Sequence, residues 1–311
     1  MRILLAGATG VIGRALLPLL LEQGHEVVAM CRSETKLEGL RGQGAEAVAA
    51  DALDAAAVLD AVTAARPQAV IHQLTAIPQR INPRTLRRDF ALNDRLRTEG
   101  TANLLAATKA AGAERFIAQS IAFAYAPGPP GTVHVEQDPL LAPERAPKQF
   151  RRSAAAIGEL ERSVLGAGGV VLRYGYFYGP GSAIARDGSM AAGVAHRRLP
   201  IVGSGSGVWS FIHVGDAASA TVTALALPGP AVLNVVDDEP ARVSEWIPAL
   251  AEALGAPAPR RVPTWLARLA GGSYGTAVMT RAQGAGNAAA RAVLEWSPRH
   301  PSWREGFRTG L

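Results

Sequence analysis

At 311 residues, with 48% hydrophobic and 19% charged side chains, the chain can bury an ample core as one large α/β domain or as a nucleotide domain with a smaller partner. Its formal net charge of +6 comes almost wholly from scattered arginines, because only Lys36, Lys109 and Lys148 are lysines; doublets such as Arg87-Arg88, Arg151-Arg152 and Arg260-Arg261 read as solvated faces, which argues against nucleic acid as a partner. The single Cys31 excludes an internal disulfide and a multi-cysteine zinc site, the opening MRILLAGATG lacks secretory features, and apolar runs such as 15–21 are far below membrane-spanning length, so a cytoplasmic protein with no membrane partner is expected.

Residues 2–6 form a continuous apolar run of buried parallel-strand type, and Gly7 to Gly13 lead into a helix over 12–23 in which Pro18 is a local misfit. Strands follow over 26–31 and 45–50, then a helix over 55–65, a strand over 69–73 and a long helix over 86–111. A strand over 115–119 precedes the Pro/Gly-rich loop 126–131. Next come the helix that contains SAAAIGELE (153–161) and a strand over 169–173. This βαβ rhythm predicts an α/β, doubly wound parallel sheet of Rossmann type, with ligands at the carboxyl ends of its strands. Beyond Tyr178 the rhythm breaks into shorter elements rich in Gly, Pro and Trp, read as a smaller substrate-binding lobe. The expected division is 1–175 for the dinucleotide-binding domain, with 212–232 returning to it, and 176–211 together with 233–311 for the lobe.

Gly7-Ala-Thr-Gly10-Val-Ile-Gly13 lies between a strand and a helix. Its glycines permit a tight turn and the close approach of a pyrophosphate to the helix N-terminus, where unpaired N–H groups and the helix dipole favour negative charge. The second strand ends at Cys31-Arg32-Ser33, where an NAD-selective site would place an acid. Arg32 can pair with a 2′-phosphate through its planar fork, so NADP(H) is the expected cofactor; the alternative is a solvated loop arginine with Glu34 as the ribose partner. Asp51 is placed to accept the adenine amino group or to cap the following helix. The candidate cofactor-binding set is Gly7, Thr9, Gly10, Val11, Ile12, Gly13, Arg32, Asp51, Ala52, Leu74 and Tyr174.

At this point the chain resembles the extended short-chain dehydrogenase/reductase family, the group that contains nucleotide-sugar epimerases and dehydratases. The likeness runs end to end. It is carried by GATGVIG, Asn93 with Gly100-Thr101, RFIAQS, LRYGYFYGPG at 172–181, SFIHVGDAASA at 210–220 and EWSPRHPSWREGF at 295–307. The resemblance implies a catalytic trio of Ser or Thr, Tyr and Lys, but the positions that match it here are Ile121, Ser153 and Ile157. Two more departures concern the substrate. The family's Arg-Asp-Phe-Ile is Trp209-Ser210-Phe211-Ile212, and the asparagine usual two residues before Tyr178 is Tyr176. An indole and a phenol do not replace the charge-assisted donors that a sugar-nucleotide diphosphate requires.

The remaining chemistry is sparse. Ser120 and Ser153 are the candidate catalytic hydroxyls. Gln119, Tyr125, Tyr176, Phe177 and Trp209 are the candidate substrate contacts, with Tyr174 beside them in an aromatic wall for a flat ligand or in lobe packing. His72, His134, His196 and His213 show no metal-ligand spacing, and no metal is expected. Three functions fit. The first is an NADPH-dependent ketoreductase that acts on a bulky aromatic ketone of polyketide type, in which a phenol beside the carbonyl supplies the proton. The second is a non-catalytic NADP(H)-binding sensor, and the third is a nucleotide-sugar epimerase or dehydratase. The partner expected is a small aromatic substrate; the oligomeric state is open.

Overall fold

The computed structural model describes residues 1–78, 81–82 and 85–311. Seven parallel strands form the central sheet: β1 (Arg2–Ala6), β2 (Glu26–Cys31), β3 (Glu46–Ala49), β4 (Ala69–His72), β5 (Arg115–Ile121), β6 (Val170–Tyr174) and β7 (Ala231–Val235). Their order is β7-β6-β5-β4-β1-β2-β3, which reverses direction at β1 and β4. The helices that follow are α1 (Val11–Glu22), α2 (Ala55–Ala65), α3 (Thr101–Ala110), α4 (Arg151–Gly166) and α5 (Val214–Thr223). Strands β1, β4 and β6 are buried on both faces, as their unbroken apolar sequences require. One face packs Leu16, Leu17 and Leu20 of α1 with Ala217 and Ala220 of α5, and the other packs Val58, Val62, Leu104, Leu160 and Val164. Pro18 sits inside α1 on its exposed side, so the helix continues through it.

Three boundaries differ from the sequence reading. The sheet takes in 231–235, so the chain's return to the nucleotide domain extends to Val235 and does not stop at 232; β7 pairs with β6 from Ala231↔Val170 to Val235↔Tyr174. The single helix expected over 86–111 is divided into Leu86–Asp89, Ala91–Arg95, a π-helical turn Leu96–Gly100 and α3. Strand β5 continues to Ile121, paired with Tyr174.

The lobe has its own aromatic core. Trp209 and Phe211 pack with Trp246 of α6 (Val243–Ala253) and with Trp303 and Phe307. The short strand Phe211–His213 pairs in parallel with Tyr176–Tyr178 and brings this core up to the end of the sheet. Helix α7 (Thr264–Arg281) lies across it, broken at Gly272, whose φ of 71° is left-handed and suits glycine.

Between sheet and helix lies a buried ion pair. Arg173 of β6 donates to Glu161 of α4 at 2.7 Å, and both side chains are nearly inaccessible, at 6% and 5% exposure. Replacing Glu161 leaves a buried guanidinium without its carboxylate. We expect Glu161→Ala to cost about 3–5 kcal/mol in a urea titration; a loss below about 1 kcal/mol contradicts this.

Candidate functional site

The turn from β1 into α1 is shaped by close backbone contacts. Gly7 has φ +94°, and a Cβ there would lie 2.8 Å from the Gln73 carbonyl; one at Gly13 would lie 2.2 Å from the Gly7 oxygen. Gly10, extended and without a side-chain cap, opens α1, so the helix presents first-turn N–H groups it cannot use itself. A cradle that side chains would fill, at a helix N-terminus and a sheet switch point, fits a dinucleotide pyrophosphate. Thr9, Gly10 and Val11 are half-exposed on this turn, and Ile12 is buried beneath it.

Arg32 emerges just beyond β2, is exposed, and has no hydrogen bond or ion pair among the described residues. The adjacent strand end carries Asp51, whose Oδ1 accepts from the Leu53 N–H at 3.0 Å. Asp51 is not the helix cap. Asp54 fills that role for α2 by accepting from Ala56 and Ala57. Ala52 is buried and Leu74 is half-buried just beyond β4, where its N–H donates to His72 Nδ1.

At the far end of the cradle the structure fastens several of the candidate hydroxyls. Ser120 donates to Glu161 at 2.6 Å. Tyr125 donates to Asn234 at 2.6 Å, accepts from Arg173 at 2.8 Å and stacks on His134. Both therefore belong to the ionic network of α4 and β6. The Tyr174 hydroxyl accepts from Gln73 and meets Thr221 at 2.6 Å, and burial pushes its pKa up to about 12. Phe177 packs beside Tyr174 with ring centroids 5.4 Å apart, and Gln119 sits half-buried on β5.

Tyr176 is sandwiched. Its ring stacks on Phe123 at 4.1 Å on one side and on Trp209 at 3.9 Å on the other. Trp209 is 4% exposed and its indole donates to the Val278 carbonyl of α7. The aromatic set is thus joined to the lobe core, with Phe123 a member that the sequence reading missed.

The trio positions converge in space. Ile121 and Ile157 lie in one apolar cluster with Leu86, Phe150 and Tyr274, the last reaching in from α7 and stacking on Phe150 at 4.9 Å. Ser153, 2% exposed, donates to Asp94 Oδ2 at 3.1 Å. Burial raises the Asp94 carboxyl above the ordinary range, against the opposing effect of the Ser153 hydrogen bond, and its Oδ1 is buried with no hydrogen-bond partner among the described residues. Asp94, Arg97 and Tyr274 carried no local signal in the sequence, because their neighbours come from other elements.

His213, Asp216 and His300 bring possible metal-ligand atoms within 4.8 Å of one another. Asp216 already accepts from the backbone N–H groups of Arg299 and His300 and meets His300 Nδ1, while His213 Nδ1 accepts from Gly215. The group ties the C-terminal segment to α5.

The model of the NAD dependent epimerase/dehydratase family matches residues 3–235. A 3-diazoavenalumate denitrifying reductase from a Streptomyces species is 47% identical over 99% of both chains. A 2-alkyl-3-oxoalkanoate reductase from Stenotrophomonas maltophilia is 28% identical over 83% of this chain and 77% of that one. Among solved structures, the UDP-glucose 4-epimerase of Thermus thermophilus in complex with NAD superposes with a TM-score of 0.74 at 25% identity, covering 100% of this chain and 97% of the other. The glycine cradle, the seven-stranded parallel sheet and the match over three quarters of the length, from β1 to β7, lead to one conclusion: this chain belongs to the NAD-dependent epimerase/dehydratase family.

Proposed function

We propose that the protein is an NADPH-dependent reductase that transfers hydride to an electrophilic group on a phenolic aromatic substrate without a proton relay of its own, and that this group is a diazo group released as dinitrogen. The observation that carries the reading is the content of the trio positions: Ile121, Ile157 and a Ser153 hydroxyl held by Asp94. The cradle of Gly7, Gly10 and Gly13 would hold NADPH, whose chemistry when bound is hydride donation.

The balance explains why the relay is dispensable. Two electrons of the hydride form an N–H bond at the terminal nitrogen of the aryl diazonium. The ring C–N bond then breaks, its electron pair stays on carbon, and that carbon takes up a proton as the nitrogen gives one up. One hydride enters and one dinitrogen leaves, with no net proton. The name of the 47% identical relative supports this acceptor. A ketone flanked by a phenol is the second reading, supported by the oxoalkanoate reductase, and there the substrate's phenol provides the one proton required. An epimerase reaction is less well served, because Tyr176 and Trp209 are packed against each other and Ser153 and Ile157 stand at the tyrosine and lysine positions.

The protein's own contributions are position and exclusion of water. Residues Ile121 and Ile157 line the reaction end with apolar surface, and alignment of donor and acceptor is worth roughly 7–11 kcal/mol in well-oriented systems. Arg32, exposed and without a hydrogen bond or ion pair among the described residues, would hold the 2′-phosphate.

Two expected outcomes follow. Arg32→Ala weakens NADPH binding about tenfold or more and leaves NADH binding unchanged in calorimetry, in line with about 1.5–3 kcal/mol for a charge-assisted contact; an unaltered NADPH/NADH ratio removes the arginine from the cofactor site. When the protein is incubated with NADPH and an ortho-hydroxyaryl diazo compound, dinitrogen evolves one for one with NADPH consumed, and Ser153→Ala slows turnover by about tenfold or less, short of the roughly 10²- to 10⁴-fold typical of a lost general acid. Reduction of an ortho-hydroxyaryl ketone with no reaction of the diazo compound selects the second reading. A larger loss in Ser153→Ala makes the serine the proton source.

A further inference from the structure

Arg97 is 6% exposed, yet no hydrogen bond or ion pair engages it among the described residues, and no carboxylate oxygen approaches its guanidinium within 4.0 Å. The carboxylates that act on it electrostatically are committed elsewhere. Glu161 serves Ser120 and Arg173, and Asp94 offers Oδ2 to Ser153 while its Oδ1 is buried with no hydrogen-bond partner among the described residues. A buried cation that lacks an acceptor is costly unless something else supplies one.

Its position is equally informative. Arg97 sits in the π-helical turn Leu96–Gly100, which packs against α4, the helix of Ser153 and Ile157. Such turns are uncommon and occur frequently at functional sites. The arginine also acts on Tyr274, which shares a cluster with Ile121 and Ile157. The turn that carries the arginine thus lies against the helix of Ser153 and Ile157.

We propose that Arg97 is the anion-binding residue of this site and receives the deprotonated phenol oxygen next to the reacting group, with the ring of Tyr274 walling that end of the pocket. The assignment rests on the reading of the substrate as a phenolic aromatic. Guanidinium stays protonated at any working pH, so it selects the phenolate and fixes the ring by its oxygen. Ser153 donates to Asp94, whose charge acts on Arg97, so the serine hydroxyl is already engaged and the guanidinium is the donor offered to the phenolate.

The test uses ortho-nitrophenol, an unreactive phenol whose phenolate absorbs in the visible, with the NADP⁺-loaded full chain below the probe's own pKa. Binding to the wild type is expected to bring out the phenolate band. Arg97→Gln is expected to weaken phenolate binding about 10- to 150-fold, the factor for a charge-assisted hydrogen bond, and to leave the affinity for ortho-nitroanisole and for NADPH unchanged. Arg97→Lys should restore part of the band. The Tm of Arg97→Gln should be equal or higher, since an unpaired buried charge is removed. An undiminished band in Arg97→Gln overturns the assignment, as does a loss of NADPH affinity with the band intact, which gives the arginine to the cofactor. If Arg97→Gln unfolds, a folded Arg97→Lys decides: weakened phenolate binding with ortho-nitroanisole and NADPH affinity intact upholds the assignment, and unchanged phenolate binding overturns it. A phenolate band in a wild type that reduces neither diazo compound nor ketone upholds the anion site and discards the proposed reaction.

Discussion

The ion pair between Arg173 and Glu161 organises the part of the fold on which the site is built. It links β6 to α4 across the sheet's face, and its members also bind the hydroxyls of Ser120 and Tyr125. Arg173 donates further to the Glu136 carbonyl, while the Glu136 carboxylate accepts from Asn234 on β7. A buried pair of this kind holds only when its remaining donors and acceptors are met, and here the neighbouring serine and tyrosine meet them. The consequence reaches chemistry: hydroxyls that stand near the strand ends are used for architecture. What is left near Ile121 and Ile157 is apolar surface and one serine on a buried aspartate, and the turn packed on α4 carries an arginine with no hydrogen bond or ion pair among the described residues.

Much of the scaffold was legible because its signals are local. Unbroken apolar runs between glycine turns marked the parallel strands, and the spacing of Gly7, Gly10 and Gly13 marked the cradle whose contacts tolerate no Cβ at Gly7 or Gly13. The return to the nucleotide domain was drawn to 232, and the strand AVLNV that crosses this boundary was not foreseen, because it lies among short lobe elements and is defined by pairing with a strand far back in the chain. The π-helical turn was invisible because helical periodicity carries no mark of one extra residue in a turn. Site residues divided the same way. The resemblance pointed to Ile121, Ser153 and Ile157 as the trio positions. Asp94 and Tyr274 come to their neighbours, Ser153 on α4 and the cluster of Ile121 and Ile157, from other parts of the chain with no shared motif. Trp209 illustrates a further limit, since an aromatic residue in sequence does not declare which rings it will stack on.

The proposed site, with a hydride donor and no proton relay, would suit acceptors that need no proton from the protein. Reduction of an aryl diazo group meets that condition by its own stoichiometry, and a ketone meets it only when a neighbouring phenol helps. The same phenol, once ionised, is what a buried guanidinium would hold. Three features fit this one account: Ser153 and Ile157 where the resemblance implies tyrosine and lysine, Tyr176 and Trp209 packed together where it implies polar donors, and Arg97 buried in the turn that packs on α4.

The most direct measurement is the pair of isotope effects on turnover of the ortho-hydroxyaryl diazo substrate, with cofactor deuterated at the transferred position and, separately, in deuterated water. The account predicts a primary effect from the cofactor with no appreciable solvent effect. A large solvent effect that disappears in a Ser153→Ala or Tyr274→Phe variant would show that the protein supplies the proton and would contradict it.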